Sequence, residues 1–246
     1  MANSFRVEQY RSARILSYFV IALFVLQIGC LILSIGFSFG LLMLPDRVLH
    51  LDQGDSMPIF FFLIGLVAIP ELLLRIITIV VFLVWEHRAF SNLSPLKARN
   101  LEFSPGWAVG WWFVPFVNLV KPYQVMKELW RESDPEFDSE IGFLSASVGV
   151  PAIFGFWWAL WIISNISIRI TDMASEGKMG DLVSIFPVIN IATSIATIAA
   201  ATLIIWIVRD VVRRQDERFR RLYPVQPGYA PPPYLGQYGD IQGPRS

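Results

Sequence analysis

The stretch GWAVGWWFVPFVNLVKP, residues 106–122, decides how often this chain crosses a membrane. It is apolar and rich in tryptophan, but only about fifteen residues separate Gly106 from Lys121, and Pro115 interrupts its middle. A spanning helix needs about 20 consecutive apolar residues, and proline removes a hydrogen bond from a helix interior. We therefore predict that residues 105–133 do not cross, and that they form a re-entrant or interfacial helical element.

The composition of the whole chain is that of a membrane protein. Hydrophobic residues make up 54% of the sequence and charged residues only 16%, against about 25% charged residues in soluble domains. Four apolar segments exceed the roughly 20 residues that span a bilayer. They cover about residues 15–44, 57–85, 142–168 and 182–208. The predicted fold class is an all-α membrane protein with four transmembrane helices and a cytoplasmic-side interfacial element.

The distribution of charge favours an even number of crossings. If residues 105–133 stay on one side, that side collects sixteen of the twenty Lys and Arg residues, and the loops 45–56 and 169–181 on the other side are acidic. An odd number would place the arginine-rich segment 209–223 outside, against the positive-inside rule. We therefore predict a multi-pass protein of the cell membrane with both termini in the cytoplasm.

The chain divides into four parts by composition. Residues 1–14 form a cytoplasmic N-terminus, and residues 15–208 form the transmembrane helical domain. Residues 209–223 continue the last helix as a basic cytoplasmic extension, and residues 224–246 form a Pro, Gly and Tyr-rich tail that is expected to be disordered. Basic segments attract anionic lipids near a membrane surface, so we expect these lipids as partners. We expect protein partners at the interfacial element or the tail, and no nucleic acid.

Four tryptophans are predicted to anchor the interfacial element at headgroup depth, where an indole ring is half solvated. Apolar residues also recur at helical spacing from Leu119 to Glu132, as in a helix lying along the interface. Padding of the bundle and a specific lipid or partner groove are equally compatible with this pattern. The predicted anchors are Trp107, Trp111, Trp112 and Trp130.

Charged residues deep in the second span make a candidate polar site. Glu71 precedes Arg75 by four residues, the favourable order for an ion pair within one helix, and Gln27 lies at comparable depth in the first span. The structural interpretation is a buried ion pair that fixes helix packing, with Gln27 as a further hydrogen-bond partner. The functional interpretation is a polar cavity that binds or relays a solute. The structural interpretation is preferred, because no chain of acids or histidines extends from the pair.

The sequence contains no pattern of residues typical of catalysis. The single cysteine, Cys30, excludes an intrachain disulfide, and His50 and His87 lie near opposite ends of the second span. We predict no catalytic, cofactor-binding or metal-binding residue, and hence no enzyme. The preferred function is that of a non-enzymatic membrane scaffold or accessory protein. The alternative is a small transporter or channel around Glu71 and Arg75.

The sequence FSPGWAVGWWFVPFVNLVKPYQVMKELWRESDP, residues 103–135, resembles a bacterial family of polytopic membrane proteins that is catalogued only as a domain of unknown function. The resemblance implies an integral membrane protein of bacterial origin. It implies no substrate, cofactor or catalytic residue for any position of this chain.

Overall fold

The structure is a computed structural model of the chain and describes residues 10–43, 57–98, 101–136, 149–175 and 186–224. Within these ranges all regular secondary structure is helical. The predicted acidic loop at 45–56, the end of the loop at 169–181 and almost all of the predicted disordered tail lie outside the described residues.

Four long helices form a bundle, and two short helices lie between the second and third of them. The long helices are α1 (Arg14–Met43), α2 (Met57–Ser91), α5 (Ile153–Ser175) and α6 (Phe186–Leu222). The short helices are α3 (Pro105–Gly110) and α4 (Lys121–Glu132). They are joined through 3-10 turns at Trp111–Phe113 and Val117–Leu119.

Helix α6 occupies the centre of the bundle. It packs against α1 on one side and α5 on another, while α1 also packs against α2 and α3 packs against α2. The core between these helices is apolar and rich in large side chains. Its largest fully buried members include Trp85, Phe90, Phe154 and Ile207.

Two helical segments are long and apolar enough to cross a bilayer, Arg14–Gly40 and Val188–Leu222. Ile153–Ile166 is a shorter apolar helix. These lengths refer to the described residues, and the side chains of residues 57–68 at the start of α2 are not among them. At 1.5 Å per residue, the 37 residues of α6 extend over about 55 Å, well beyond about 30 Å of hydrocarbon. If α6 crosses a bilayer, part of it must therefore project from the hydrocarbon. The arginines of α6 are all in its C-terminal part, so this part is the one expected to project.

Helix α5 begins later than the start predicted for the third span. The prediction placed that start at Gly142, whereas α5 begins at Ile153 and residues 149–152 precede it without helical structure. Pro151 lacks a backbone N–H, so it is compatible with a position just before the first helical turn but not with a helix interior. Residues 141–148 are outside the description.

Candidate functional site

The segment between α2 and α5 folds back on itself as a helical hairpin, formed by residues 102–132. The carboxylate of Glu128 in α4 accepts hydrogen bonds from the backbone N–H groups of Glu102 (2.6 Å) and Phe103 (3.3 Å). Lys121, at the start of α4, forms an ion pair with Glu102 at 3.2 Å. Both ends of α4 therefore contact the residues that precede α3.

Local sequence explains how the hairpin breaks into short helices. Ser104 caps α3 by accepting a hydrogen bond from the N–H of Trp107 (3.4 Å), and Pro105 occupies the first turn, where a missing N–H costs nothing. Pro122 takes the same place in α4. Between the helices, Phe116 has a positive φ of 63°, which reverses the chain between the two 3-10 turns.

Three indole N–H groups fix the hairpin to three different long helices. Trp112 donates to the carboxylate of Glu86 in α2 at 2.8 Å. Trp130 donates to Asp210 in α6 at 2.7 Å. The third bond runs the other way, since Trp158 in α5 donates to the backbone carbonyl of Leu119 at 2.9 Å. A hairpin held at three separated points has little freedom to move relative to the bundle.

A buried network of polar side chains surrounds the end of α6. Arg214 binds Asp134 at 2.7 Å and Asp210 at 2.8 Å, and its guanidinium lies 3.8 Å from the centre of the Trp130 ring. It therefore joins α6 to the residues that follow α4 by charge and by stacking.

Gln215 extends the same network toward α2. Its side-chain amide donates to the carbonyl of Ala89 (2.8 Å) and to the hydroxyl of Ser133 (3.1 Å), and it accepts from Asn92 (3.3 Å). Asn92 also donates to the carbonyl of Arg11 at 3.0 Å. We call this network the polar cluster; its members are Asn92, Ser133, Asp134, Asp210, Arg214 and Gln215.

The N-terminal residues join the same end of the bundle. Tyr10 donates to Asp216 at 2.7 Å, and Arg14 forms an ion pair with Asp216 at 2.6 Å. Arg218 donates to the carbonyl of Glu132 at 2.5 Å. The N-terminus, the end of α2, the end of α4 and the end of α6 thus meet at one end of the bundle, which we call the inner end.

Glu86 is a buried carboxyl that the sequence did not single out. Its side chain is 0% exposed, and one oxygen accepts from Trp112 while the other, Oε1, has no hydrogen-bond partner among the described residues. It lies one residue beyond the predicted second span, and burial raises its pKa to about 8. In the sequence, Glu86 stands next to His87 and Arg88, a pattern that is typical of solvated charges at a helix end. Its hydrogen-bond donor, Trp112, lies 26 residues away in the sequence.

The predicted anchors differ widely in exposure. Trp107 is 55% exposed and stacks on the half-buried Trp111, with ring centres 4.6 Å apart. Trp112 is half-buried and packs edge-on against Trp158 and a further indole of α5. Trp130 is 3% exposed and belongs to the core. Anchoring at the headgroups stays a prediction. Of the four predicted anchors, only Trp107 has a largely exposed ring.

The predicted polar site is not assembled within the described part of the chain. Glu71 and Arg75 are half-buried on α2, and Gln27 is buried at 7% exposure on α1. No hydrogen bond or ion pair between described residues joins any two of the three. Neither described cavity is lined by them. The role predicted for the three residues stays a prediction.

An open groove of about 580 Å³ lies between α4 and the start of α5. We call it the basic groove, because Lys127 and Arg131 of α4 line it opposite an apolar wall from α5. A second cavity of about 320 Å³ lies beside Trp107 and Lys121. Among the residues that the structure describes, no group of three or more His, Cys, Asp or Glu side chains could hold a metal ion.

Comparison with known proteins gives one match. Neither a curated protein nor a solved structure matches the chain. The sequence model of the family described as "Domain of unknown function (DUF4328)" matches residues 59–213, which is more than half of the chain. The matched segment contains the hairpin and nearly all of α2, so the resemblance of residues 103–135 to a family of unknown function is confirmed. The chain therefore belongs to the DUF4328 family.

Proposed function

We propose that this chain is an integral membrane protein with four spanning helices and cytoplasmic termini, and that it acts as a non-enzymatic scaffold or accessory protein. In this proposal the hairpin lies at the cytoplasmic face and presents a rigid surface to lipids and protein partners. The attachment of the hairpin to α2, α5 and α6 through three indole hydrogen bonds carries the proposal. A surface held this rigidly can bind a partner without the entropic cost of ordering a loop.

The meeting of four chain segments at the inner end supports the proposed topology. The N-terminus binds Asp216 of α6, and Asp134 after the hairpin binds Arg214 of the same helix. These contacts are compatible with an even number of crossings between each pair of segments. Because the same segments carry most of the basic residues, the positive-inside rule favours the cytoplasm for this end.

The bonding of the polar cluster supports a structural rather than a catalytic role. Asp210, Arg214 and Gln215 each form two or more hydrogen bonds or ion pairs within the chain, and each has at least one partner outside α6. A general acid or base must instead reach a proton of the substrate. The cluster is therefore better suited to holding helices together than to chemistry.

Cysteine labelling in intact cells tests the topology. Cys30 is the only cysteine, so Cys30→Ala supplies a background into which Glu136→Cys and Gln53→Cys are introduced separately. Glu136 is exposed just after the hairpin, and Gln53 lies in the predicted outer loop. A membrane-impermeant maleimide is expected to label position 53 in intact cells and position 136 only after permeabilisation. Labelling of position 136 in intact cells would overturn the four-span arrangement.

Copurification from native membranes tests the scaffold role. We expect a protein partner that is recovered in fixed proportion with the wild-type chain and is lost from Trp107→Ala, which removes an exposed ring of the hairpin. The matched control is Phe37→Ala, which removes a similarly exposed ring from α1. If the wild-type chain, Trp107→Ala and Phe37→Ala recover the partner equally, the exposed ring of the hairpin is not part of the interaction surface.

A transporter or channel is the second candidate, and one observation favours it. Glu71 and Arg75 are half-buried and form no ion pair with each other in the described residues, which leaves both charges open to a solute or a partner. In the Cys30→Ala background, rapid labelling of Glu71→Cys by a water-soluble maleimide would favour a wet pathway. Protection of that cysteine would favour the scaffold.

A further inference from the structure

The basic groove combines two positively charged side chains from α4 with an apolar wall on its other side. Lys127 and Arg131 are four residues apart in α4, so they lie on one face of that helix. The opposite wall is formed by Ala152, just before α5, and by Gly155 and Phe156 on the exposed face of α5. This pairing of a cationic end and an apolar wall matches an anionic headgroup joined to a hydrocarbon chain.

Among the described residues, the two cations of the groove form no ion pair with the acids of their own helix. Glu128 binds the backbone at residues 102 and 103, and Glu132 interacts electrostatically first with Arg218 and to a smaller extent with Arg131. Among the described residues neither Lys127 nor Arg131 forms an ion pair with a carboxylate. Lys127 instead lies 5.1 Å from the centre of the Tyr123 ring. Both cations therefore remain available to an anion in the groove.

The apolar wall is open toward the surroundings of the bundle. Phe156 is 66% exposed, and a side chain added at Gly155 would meet no other atom within 4 Å. In a membrane such a surface is covered by lipid chains, and the amphipathic α4 beside it has the pattern of a helix at the headgroup boundary.

We propose that the basic groove binds one phospholipid with an anionic headgroup. Lys127 and Arg131 hold the headgroup phosphate, and an acyl chain lies along Ala152, Gly155 and Phe156. The proposal rests on the proposed membrane location of the hairpin and adds to it a defined site and ligand class. A lipid bound here would link α4 to α5, so it would become part of the surface that the scaffold presents.

Native mass spectrometry of the full chain, released from detergent with phosphatidylglycerol or phosphatidylcholine, tests the charged end of the groove. We expect phosphatidylglycerol to be retained preferentially by the wild-type chain. In the double variant Lys127→Gln, Arg131→Gln, retention should weaken roughly thirtyfold, since each basic group near a membrane surface contributes about fivefold in affinity. The control Arg220→Gln, Arg221→Gln removes two exposed arginines of α6 and should retain the lipid. Equal losses in both variants, or no preference over phosphatidylcholine, would overturn the proposal.

The apolar end of the groove is tested by Gly155→Leu. A Cβ at position 155 meets no protein atom within 4 Å, and the rest of the leucine side chain would occupy the acyl path, so phosphatidylglycerol retention should fall. Gly36→Leu, at a position of α1 where a Cβ is equally free, should leave retention unchanged. Inorganic phosphate and glycerol phosphate are added as competitors. Displacement of phosphatidylglycerol by either at similar concentration, with no effect of Gly155→Leu, would show a site for free phosphate and overturn the lipid assignment.

Failure of this proposal is distinguishable from failure of the proposed function. If position 136 is protected in intact cells but the groove variants retain lipid normally, the topology stands and the lipid site is wrong. If position 136 is labelled from outside, the arrangement of the bundle is wrong whatever the groove binds. Size-exclusion profiles and thermal unfolding of each variant verify that lipid loss does not follow from misfolding.

Discussion

Asp210 is the residue on which the inner end of the bundle depends most directly. Its carboxylate accepts from the indole of Trp130 (2.7 Å) and from the guanidinium groups of Arg213 (2.5 Å) and Arg214 (2.8 Å). Burial raises the pKa of Asp210, whereas these hydrogen bonds lower it, and the net result is a pKa below the usual value. Arg214 also donates a hydrogen bond to the carboxylate of Asp134. The carboxylate of Asp210 is thus one of the groups that join α6 to the hairpin.

Replacement of Asp210 is expected to destabilise the protein strongly. Asp210→Asn leaves the partly buried Arg214 with one carboxylate fewer, and should cost roughly 3 kcal/mol, at the lower end of the range for breaking a buried charge pair. Trp130→Phe removes the hydrogen bond to Asp210 and part of a buried ring, and should cost roughly 2 kcal/mol. Thermal unfolding in detergent measures both, with Glu217→Gln on the same helix as a charge-matched control. Equal unfolding temperatures for Asp210→Asn and Glu217→Gln would contradict the role given to Asp210.

Glu86 makes stability depend on pH. Burial raises its folded-state pKa from 4.5 to about 8, so between these values the folded protein holds a proton that the unfolded chain releases. The contribution of Glu86 to stability is therefore fully present below about pH 4.5, falls as pH rises, and levels off above about pH 8. Glu86→Gln mimics the protonated form and keeps an acceptor for Trp112.

We expect the unfolding temperature of the wild-type protein to fall relative to Glu86→Gln between pH 5 and pH 8.5, which follows from the raised pKa. The comparison is made by tryptophan fluorescence in one detergent at constant ionic strength. Parallel pH profiles for the two proteins would mean that Glu86 is not protonated in the folded state.

The hairpin is the element on which sequence and backbone geometry agree most closely. Pro115 and the two flanking 3-10 turns break it, and Phe116 is held at a φ of 63° with its ring 86% exposed. A positive φ is costly for a residue with a Cβ, by about 1–2 kcal/mol. A ring that is 86% exposed has little packing against the described part of the chain that could offset this cost. Contact with lipid would offset it.

Glycine at position 116 should relieve this strain. Phe116→Gly and Phe116→Ala both remove an exposed ring, but only glycine adopts the positive φ freely. We therefore expect Phe116→Gly to be more stable than Phe116→Ala by about 1 kcal/mol in detergent unfolding. Equal stability, or a more stable alanine variant, would show that the turn relaxes to another conformation.

Helix α2 allows the two interpretations of Glu71 and Arg75 to be separated. If the pair is structural, Glu71→Gln and Arg75→Met should each destabilise the protein, because each leaves an unmatched charge, and the double variant should recover much of the loss. If the pair serves transport, all three variants should fold normally and lose solute flux in proteoliposomes. Additive stability losses in the double variant would contradict a direct structural pairing.

At the scale of the whole molecule, the inner end couples helices that are far apart in the sequence. Gln215 is 1% exposed and contacts the carbonyl of Ala89 in α2, the hydroxyl of Ser133 after α4, and the amide of Asn92. Buried polar groups left without partners are costly, so a network of this kind favours one arrangement of the helices over its alternatives.

Gln215→Ala should loosen this coupling. It leaves the Ala89 carbonyl and the Asn92 amide with fewer partners, at a cost of roughly 2 kcal/mol or more. We expect a lower unfolding temperature and faster proteolysis in the hairpin. Gln124→Ala on α4 is the matched control, because Oε1 of Gln124 is buried without a partner and its removal breaks no such bond. Similar losses in the two variants would contradict a special role for the inner end.

Part of the fold and little of the site could be predicted from the sequence. Apolar length and Pro115 are local properties, and they were sufficient to predict a helical chain with an interrupted element near residues 105–133. Membership of a family of unknown function was also recognisable from residues 103–135. The partners of Glu86 and Asp210 lie 26 and 80 residues away, and no periodicity within a helix encodes such distances.

The sequence by itself determined which segments are apolar, which are basic, and where the chain cannot continue as a straight helix, because these depend on composition and on backbone chemistry at single residues. Only the tertiary structure decided which tryptophans are buried, which arginines are neutralised by carboxylates, and that Lys127 and Arg131 face an apolar wall. The physical reason is that burial and charge pairing depend on neighbours brought together by packing between helices, and those neighbours are distant along the chain.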